Sequence, residues 1–390
     1  MVILTAVIIG VWSMIFLGAL MRGIADQFVR NGIKTLTGHI QIHHPGYRKD
    51  PVVENSMTDP SGVETTLAQL LPPGSRWAPR VRVNAVASNA RHFAGITLVG
   101  IDPSREAAVS FIGGAIIEGR YLRSGDAYEI VAGRALVKRF ETKLGYKLVL
   151  MSQDTEGEIA SRAFHIVGIY RAEMEATEKQ FVFVTMPAAQ QMLKLHKGIS
   201  EIAILLPAYG EADRVANALR ARLPAARYEV DTWQKLLPMT TAILKMYDWT
   251  IFVWFFVVFI AMGFGIVNTT LMAVFERIRE FGLLKALGMK PRWIIQEVII
   301  ESFFLLVLGM AIGNALGFVS VFALSRHGID LSALAAGAEY WGMSRVIYPY
   351  VLSQDVIMAN LVVFVLGLVV SLYPAMKAAR FTPVEALAHI

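Results

Sequence analysis

Cysteine is absent from all 390 residues, which excludes disulfides, thiol catalysis and Cys-based zinc or iron–sulfur sites. That suits a domain outside the cytoplasm that folds without disulfides, but does not fix the compartment. Charge is also scarce. Only 17% of residues are charged and 55% are apolar, whereas a soluble domain carries about a quarter charged residues. The deficit points to segments buried in lipid. No G-x-x-x-x-G-K-[ST] stretch occurs, so the chain has no phosphate-cradling loop of its own, and neither H-E-x-x-H nor a nucleophile-elbow motif is present. No catalytic constellation emerges. The net charge of +6 would point to nucleic acid only if it formed a basic surface patch. Here much of the basic excess sits beside hydrophobic runs, where membrane topology explains it better, and no nucleic-acid partner is expected.

Four stretches are long and apolar enough to cross a bilayer, which takes about 20 helical residues. They run from Val2 to Met21, Trp249 to Phe275, Trp293 to Leu324 and Val356 to Tyr373. The first could be a secretory signal peptide. Nothing basic precedes Val2, however, and Gly18-Ala19-Leu20-Met21-Arg22 is a poor cleavage site.

The short loops set the orientation, because Lys and Arg near span ends stay in the cytoplasm. Residues 276–292 hold Arg277, Arg279, Lys285, Lys290 and Arg292 against Glu276 and Glu280. Residues 325–355 hold Arg326 and Arg345 against Asp330, Glu339 and Asp355. The first loop is therefore expected inside and the second outside, with Lys377 and Arg380 marking an inside C-terminus. Residues 25–245 then lie outside. Arg22, Arg30 and Lys34 pull the other way, but long loops translocate largely regardless of charge.

Arg22 to Leu36 lacks proline and reads as a helix continuing out of the membrane. Period-two alternation then begins at His39-Ile40-Gln41-Ile42-His43 and recurs at 96–99, 129–131, 147–150, 164–167 and 181–184. Pro45-Gly46, Pro72-Pro73-Gly74, Asp102-Pro103 and Ser124-Gly125-Asp126 punctuate these strands. Helices are expected at 134–144, 188–197 and 211–223, and again from Trp233 to Asp248 with a break at Pro238. The domain is thus α+β, carried on helices that prolong spans one and two.

Between spans two and three, Ile278, Phe281 and Leu284 make an apolar strip, flanked by Arg277, Arg279, Glu280 and Lys285. Such a helix can dock into a groove on a cytoplasmic partner or lie on lipid headgroups, and the residues alone favour neither. The run from Val267 to Gly288 (VNTTLMAVFERIREFGLLKALG) resembles the signature of FtsX-like ABC permeases. The ending from Tyr373 to Leu387 (YPAMKAARFTPVEAL) is similar to that family's P-A-x-x-A-A-x-x-x-P-x-x-A-L. The plan of one span, a large domain and three further spans fits too. Family members usually begin with a basic amphipathic segment, whereas this chain opens inside its span at Met1-Val2-Ile3.

The resemblance implies four transmembrane α-helices with a large α+β extracytoplasmic domain between helices 1 and 2, a type VII ABC permease architecture. Helix 1 is placed at 1–24, the external domain at 25–245, helix 2 at 246–275 and a cytoplasmic coupling helix at 276–292. Helix 3 follows at 293–324, an external loop at 325–355, helix 4 at 356–374 and a cytoplasmic tail at 375–390. Coupling to an ATPase would fall to Glu276, Arg277, Glu280, Phe281, Gly282, Leu284, Lys285, Ala286, Leu287 and Gly288, with Leu284 in a dry contact and Lys285 at its rim.

Gly309, Gly313 and Gly317 form a four-residue ladder suited to close helix packing, either in a shifting permease contact or as static packing within one subunit. Glu297 and Glu301 lie one turn apart near the inner end of span three. Glu301 is the better candidate for a buried interaction, with Arg277 as its partner. His39 and His43 would share a strand face, but no carboxylate lies at a recognisable spacing. Surface histidines near a turn are the plainer reading, and no metal is expected.

The external domain's size fits the lipoprotein-releasing type within the family. That type implies an acylated lipoprotein leaving the outer leaflet of the bacterial inner membrane between spans one and two, past Val7, Val11, Ile15, Phe252, Phe255 and Phe256. It implies two copies of an ABC ATPase that bind ATP and Mg, a second permease copy or paralogue, surrounding lipid, and a periplasmic lipoprotein chaperone. No cofactor is expected in this chain. A signal transmitter activating an external hydrolase, and an efflux permease for peptide, antibiotic or lipid, are the alternatives.

Overall fold

A computed structural model describes residues 2–330 and 346–382. Glu339, Arg345 and the Pro383–Leu387 end of the C-terminal motif lie outside the described residues. The chain divides into two compact units, one of residues 2–27, 242–330 and 346–382, the other of residues 28–241.

The first unit holds four helices long and apolar enough to cross a membrane. The chain is a multi-pass membrane protein. Helix α1 covers Val2–Gly32; its last turns belong to the second unit, where a π-helical turn, Ile33–Thr37, follows. Residues 253–265 are uncharged and strongly apolar and lie within a single unbroken helix of 39 residues, Pro238–Glu276.

The second unit is built on ten strands: β1 Ile40–His43, β2 Arg76–Ser88, β3 Phe93–Ile101, β4 Ile116–Gly119, β5 Glu129–Gly133, β6 Lys147–Gln153, β7 Ile159–Tyr170, β8 Phe181–Thr185, β9 Glu201–Leu205 and β10 Glu229–Thr232. Pairing runs β2-β3-β8-β5-β7, and β6 joins β7 back to β2, closing a ring of six strands. From β2 the sheet extends through β9 and β1 to β10. The ring's interior is apolar, with Val83, Leu98, Ile130, Leu148, Phe164, Ile166 and Val182 buried together. Alternation along each strand is what sends these residues inward.

Helices interleave with the strands: α2 Ser61–Leu70, α3 Pro103–Glu106, α4 Arg134–Arg139, α5 Glu175–Gln180, α6 Met186–Met192, α7 Ala212–Arg222 and α8 Trp233–Leu236. The helices expected at 134–144 and 188–197 are shorter than their sequence patterns, each ending near a residue with positive φ, at Glu141 and Lys194. Strand β2, the longest, was not among the expected strands. Its Arg80 is fully buried and donates to both oxygens of Glu106, at 2.9 and 2.8 Å, to Glu201 at 3.1 Å and to the Leu36 carbonyl. Burial opposes the guanidinium charge, but the two carboxylates overcome it and hold its pKa above the ordinary arginine value. His39 and His43 are buried rather than superficial. His39 Nδ1 accepts the Leu206 N–H at 2.8 Å, and burial pushes its imidazole down to about 4.

After α8, Pro238 opens helix α9, Pro238–Glu276. Then come α10 Ile278–Ala286, α11 Pro291–His327, the two-residue strands β11 Ile329–Asp330 and β12 Val346–Ile347, and α12 Ser353–Arg380. In the membrane unit Val7, Val11 and Met14 of α1, Phe255 and Met262 of α9, Leu306 of α11 and Val363 of α12 share one core.

Candidate functional site

Helix α10 begins because Arg277 leaves the helical region, at φ −101° and ψ 12°, and so separates it from α9. It ends at Gly288, whose φ of +96° is left-handed backbone that glycine adopts without strain. Met289 N–H donates to the Leu284 carbonyl and Gly288 N–H to that of Lys285, both at 3.0 Å, which closes the helix with a Schellman turn. Pro291 then opens α11.

The apolar strip on α10 points into the chain's own bundle. Ile278 and Phe281 are buried, and Phe281 packs with Val274, Ile294, Val298, Ala375 and Ala378, with Leu284 partly covered beside them. The expectation that this strip meets a partner is therefore corrected: α9, α11 and α12 already occupy it. Gly282 is buried as well, whereas Glu276, Glu280, Leu283, Ala286, Leu287 and Gly288 are exposed. Leu287 is 77% exposed, the most open of the large apolar side chains here.

Charges border the strip. Arg277 donates to Glu280 at 3.1 Å, Glu297 at 2.7 Å and Glu301 at 3.3 Å. The Glu280 hydrogen bond does most to raise its pKa above the usual arginine value; burial partly opposes this and Glu297 adds to it. The expected Glu301–Arg277 pair is present. Glu301 is nonetheless the more exposed acid, at 54% against 40% for Glu297, and the longer contact, so Glu297 holds the position assigned to Glu301. Lys285 is not a rim charge. Its Nζ donates to the carbonyls of Ala379 at 2.9 Å and Phe381 at 2.5 Å, capping α12 where the helix dipole favours a cation.

Within the bundle the glycine ladder faces α1. A Cβ at Gly309 would lie 2.7 Å from Val7 Cγ1, one at Gly313 would lie 2.8 Å from Val11 Cβ, and one at Gly317 would lie 2.9 Å from Ile15 Cγ2. Val7, Val11 and Ile15 are accordingly buried, and Phe255 is buried against Gly18. This corrects the expected substrate path: these four side chains form the bundle's interior. Only Phe252 and Phe256, each 55% exposed, face outward. At the other end of the same helices Arg22 donates to Asp355 at 2.7 and 3.0 Å and to Asp248. That cation, which had weighed against the predicted orientation, is neutralised within the fold.

Two families match the chain. Residues 1–222 match the MacB-like periplasmic core domain and residues 252–383 the FtsX-like permease C-terminal region. The lipoprotein-releasing system transmembrane protein LolC of Xylella fastidiosa is 23% identical over 98% of this chain and 91% of its own length. The macrolide export ATP-binding/permease protein MacB of Chlorobium luteolum is 33% identical over 32% of this chain and 16% of its own. The periplasmic region of MacB from Actinobacillus actinomycetemcomitans superposes with a TM-score of 0.37 at 13% identity, covering 53% of this chain and 94% of that one.

Proposed function

The chain belongs to the FtsX-like ABC permease family, with a MacB-like periplasmic core domain, and from that premise we propose that it is the permease of a transporter that extracts lipoproteins from the bacterial inner membrane. Permeases of this family work with ATPase subunits. Here two ATPase copies bind ATP and Mg in the cytoplasm, and a second permease copy or a paralogue completes the membrane part. Residues 28–241 then lie on the far side of the membrane, where a soluble lipoprotein chaperone would receive the cargo.

The observation that carries this reading is the double attachment of α10. Arg277 joins it to α11 and Lys285 joins it to the end of α12, while α9 leads into it directly. A partner pushing on the exposed face of α10 therefore moves three membrane helices together. The docking face is Arg279, Glu280, Leu283, Ala286 and Leu287. The length of the match to LolC favours lipoprotein as cargo; the MacB-like domain favours efflux as the second reading.

Leu287→Asp tests the docking face. A buried interfacial anchor is worth on the order of 2 kcal/mol, so ATPase co-purification should fall by about thirtyfold while the protein still folds and inserts. Wild-type retention of the ATPase would move the contact elsewhere. Release of a purified acylated lipoprotein from proteoliposomes, absent with its unacylated form, separates lipoprotein extraction from efflux.

A further inference from the structure

Strands β1 and β10 pair antiparallel, with His43 opposite Glu229 and Gln41 opposite Asp231. Side chains two residues apart share a sheet face, so His43, Glu229 and Asp231 converge although nearly two hundred residues of sequence separate the histidine from the acids. One ligand atom from each lies within 4.8 Å of the others. We infer that His43, Glu229 and Asp231 form a binding site for one divalent metal ion of the zinc class, closed in this structure by the ammonium of Lys235.

The imidazole carries the argument. His43 is completely buried, and its Nδ1 lies 3.1 Å from the His44 carbonyl. A carbonyl only accepts, so Nδ1–H donates there and Nε2 is the ring nitrogen turned towards the acids. Nε2 has no hydrogen-bond partner, yet it sits 3.4 Å from the Asp231 carboxylate. A protonated Nε2 is not aligned to hydrogen-bond that carboxylate, and a neutral one would set its lone pair against it; a metal ion between the two satisfies both. A backbone carbonyl that fixes the outer nitrogen of a histidine is also how metal-binding imidazoles are oriented.

A cation already stands near that position. Lys235 Nζ bonds Glu229 at 2.6 Å and Asp231 at 2.7 Å, and Arg48 reaches Asp231 at 3.2 Å. Both side chains are partly exposed, at 55% and 34%, so both can swing into solvent and leave the carboxylates to a metal. One imidazole nitrogen with two carboxylates suits zinc, whose bonds to such ligands are about 2.0–2.2 Å, better than calcium or magnesium, which prefer oxygen alone. The acidic group Asp154, Glu156 and Glu158 around Lys194 has no such nitrogen and does not share the assignment. A metal at His43 would pin β10, which has one strand neighbour, to β1.

The test uses the full-length protein in detergent, stripped with a chelator and titrated with zinc chloride against a chromophoric competitor. One zinc per chain should bind at micromolar free metal. His43→Gln and Asp231→Asn should each weaken binding by more than about tenfold, with folding checked by circular dichroism. Lys235→Ala should tighten it by about threefold to tenfold, because it removes a competing cation whose exposed ion pairs are individually weak. Tightening cannot arise from misfolding, so this variant keeps the test decisive if the buried substitutions unfold. The inference is overturned if neither wild type nor Lys235→Ala retains zinc, or if His43→Gln and Asp231→Asn bind as the wild type does.

Discussion

The two ends of the helix bundle are each held by one arginine among carboxylates, but in different surroundings. At one end Arg22 is 19% exposed and Asp355 16%. There Gln27 donates to the Val346 carbonyl, and Tyr350 N–H donates to that of Ala19 at 3.2 Å, so backbone as well as charge ties α1 to the chain before α12. At the other end Arg277 is 39% exposed and its three acids are 40–65% exposed. Exposed pairs contribute about 0–1 kcal/mol each, whereas a partly buried pair leaves an uncompensated charge when broken. The first end is therefore a clamp. The second is a joint that can be rearranged at small cost, and it is the end that carries α10.

The comparison breaks most severely if the spine between the two ends is lost. Gly313→Leu would drive a side chain into Val11 Cβ and the Ile8 carbonyl, 2.8 and 3.0 Å from where its Cβ must sit. Overpacking costs about 1–3 kcal/mol and occasionally more, and contact with backbone places this site at the upper end, so thermal unfolding in detergent should show a large fall in Tm or no folded protein. Wild-type stability would mean that α1 and α11 do not pack this way. A smaller effect is expected from Asp355→Asn, which leaves Arg22 with Asp248 alone. The loss should be on the order of 2 kcal/mol, below that for a fully buried pair, and should appear as a lower Tm with little dependence on salt. A strongly salt-dependent loss would place this end in the same class as the other.

The spans were legible because uncharged runs of such length have few other fates. Which face of a span turns inward was not, since a run such as Val7 to Ile15 is apolar all round. A signal was present even so: Val7, Val11 and Ile15 repeat at the spacing of Gly309, Gly313 and Gly317, and the two ladders interlock. On α10 the periodicity correctly marked Ile278 and Phe281 as the residues to be covered. It could not say by what, because Ile294, Val298 and Ala375 come from later helices. Strand β2 escaped notice because Pro79, Arg80 and Arg82 interrupt its alternation, and Arg80 is tolerated inside only through Glu106 and Glu201, which the fold supplies from afar. The pairing of His43 with Glu229 likewise exists only in the register of the sheet.

The smallest effect on stability should come from Arg277→Gln, and this sharpens the contrast most. Glutamine keeps a polar side chain but gives up the charge that gathers Glu280, Glu297 and Glu301. Each of those pairs is screened by solvent and the glutamine amide can still donate to one of the acids, so the unfolding free energy should fall by only about 1 kcal/mol in all, read as a small drop in Tm. The apolar packing of Phe281 against Val298 and Ala378 should keep α10 in place. What should change is the transmission of force, because α10 then holds α11 by packing alone. Purified with its ATPase, the variant should retain the partner and hydrolyse ATP, yet move less cargo for each ATP consumed. Raising the salt concentration should bring the wild type towards the variant, since the network is exposed to ions. A variant that loses stability as Asp355→Asn does would erase the difference between clamp and joint, and one with unaltered cargo per ATP would leave Arg277 as a surface charge with no part in coupling.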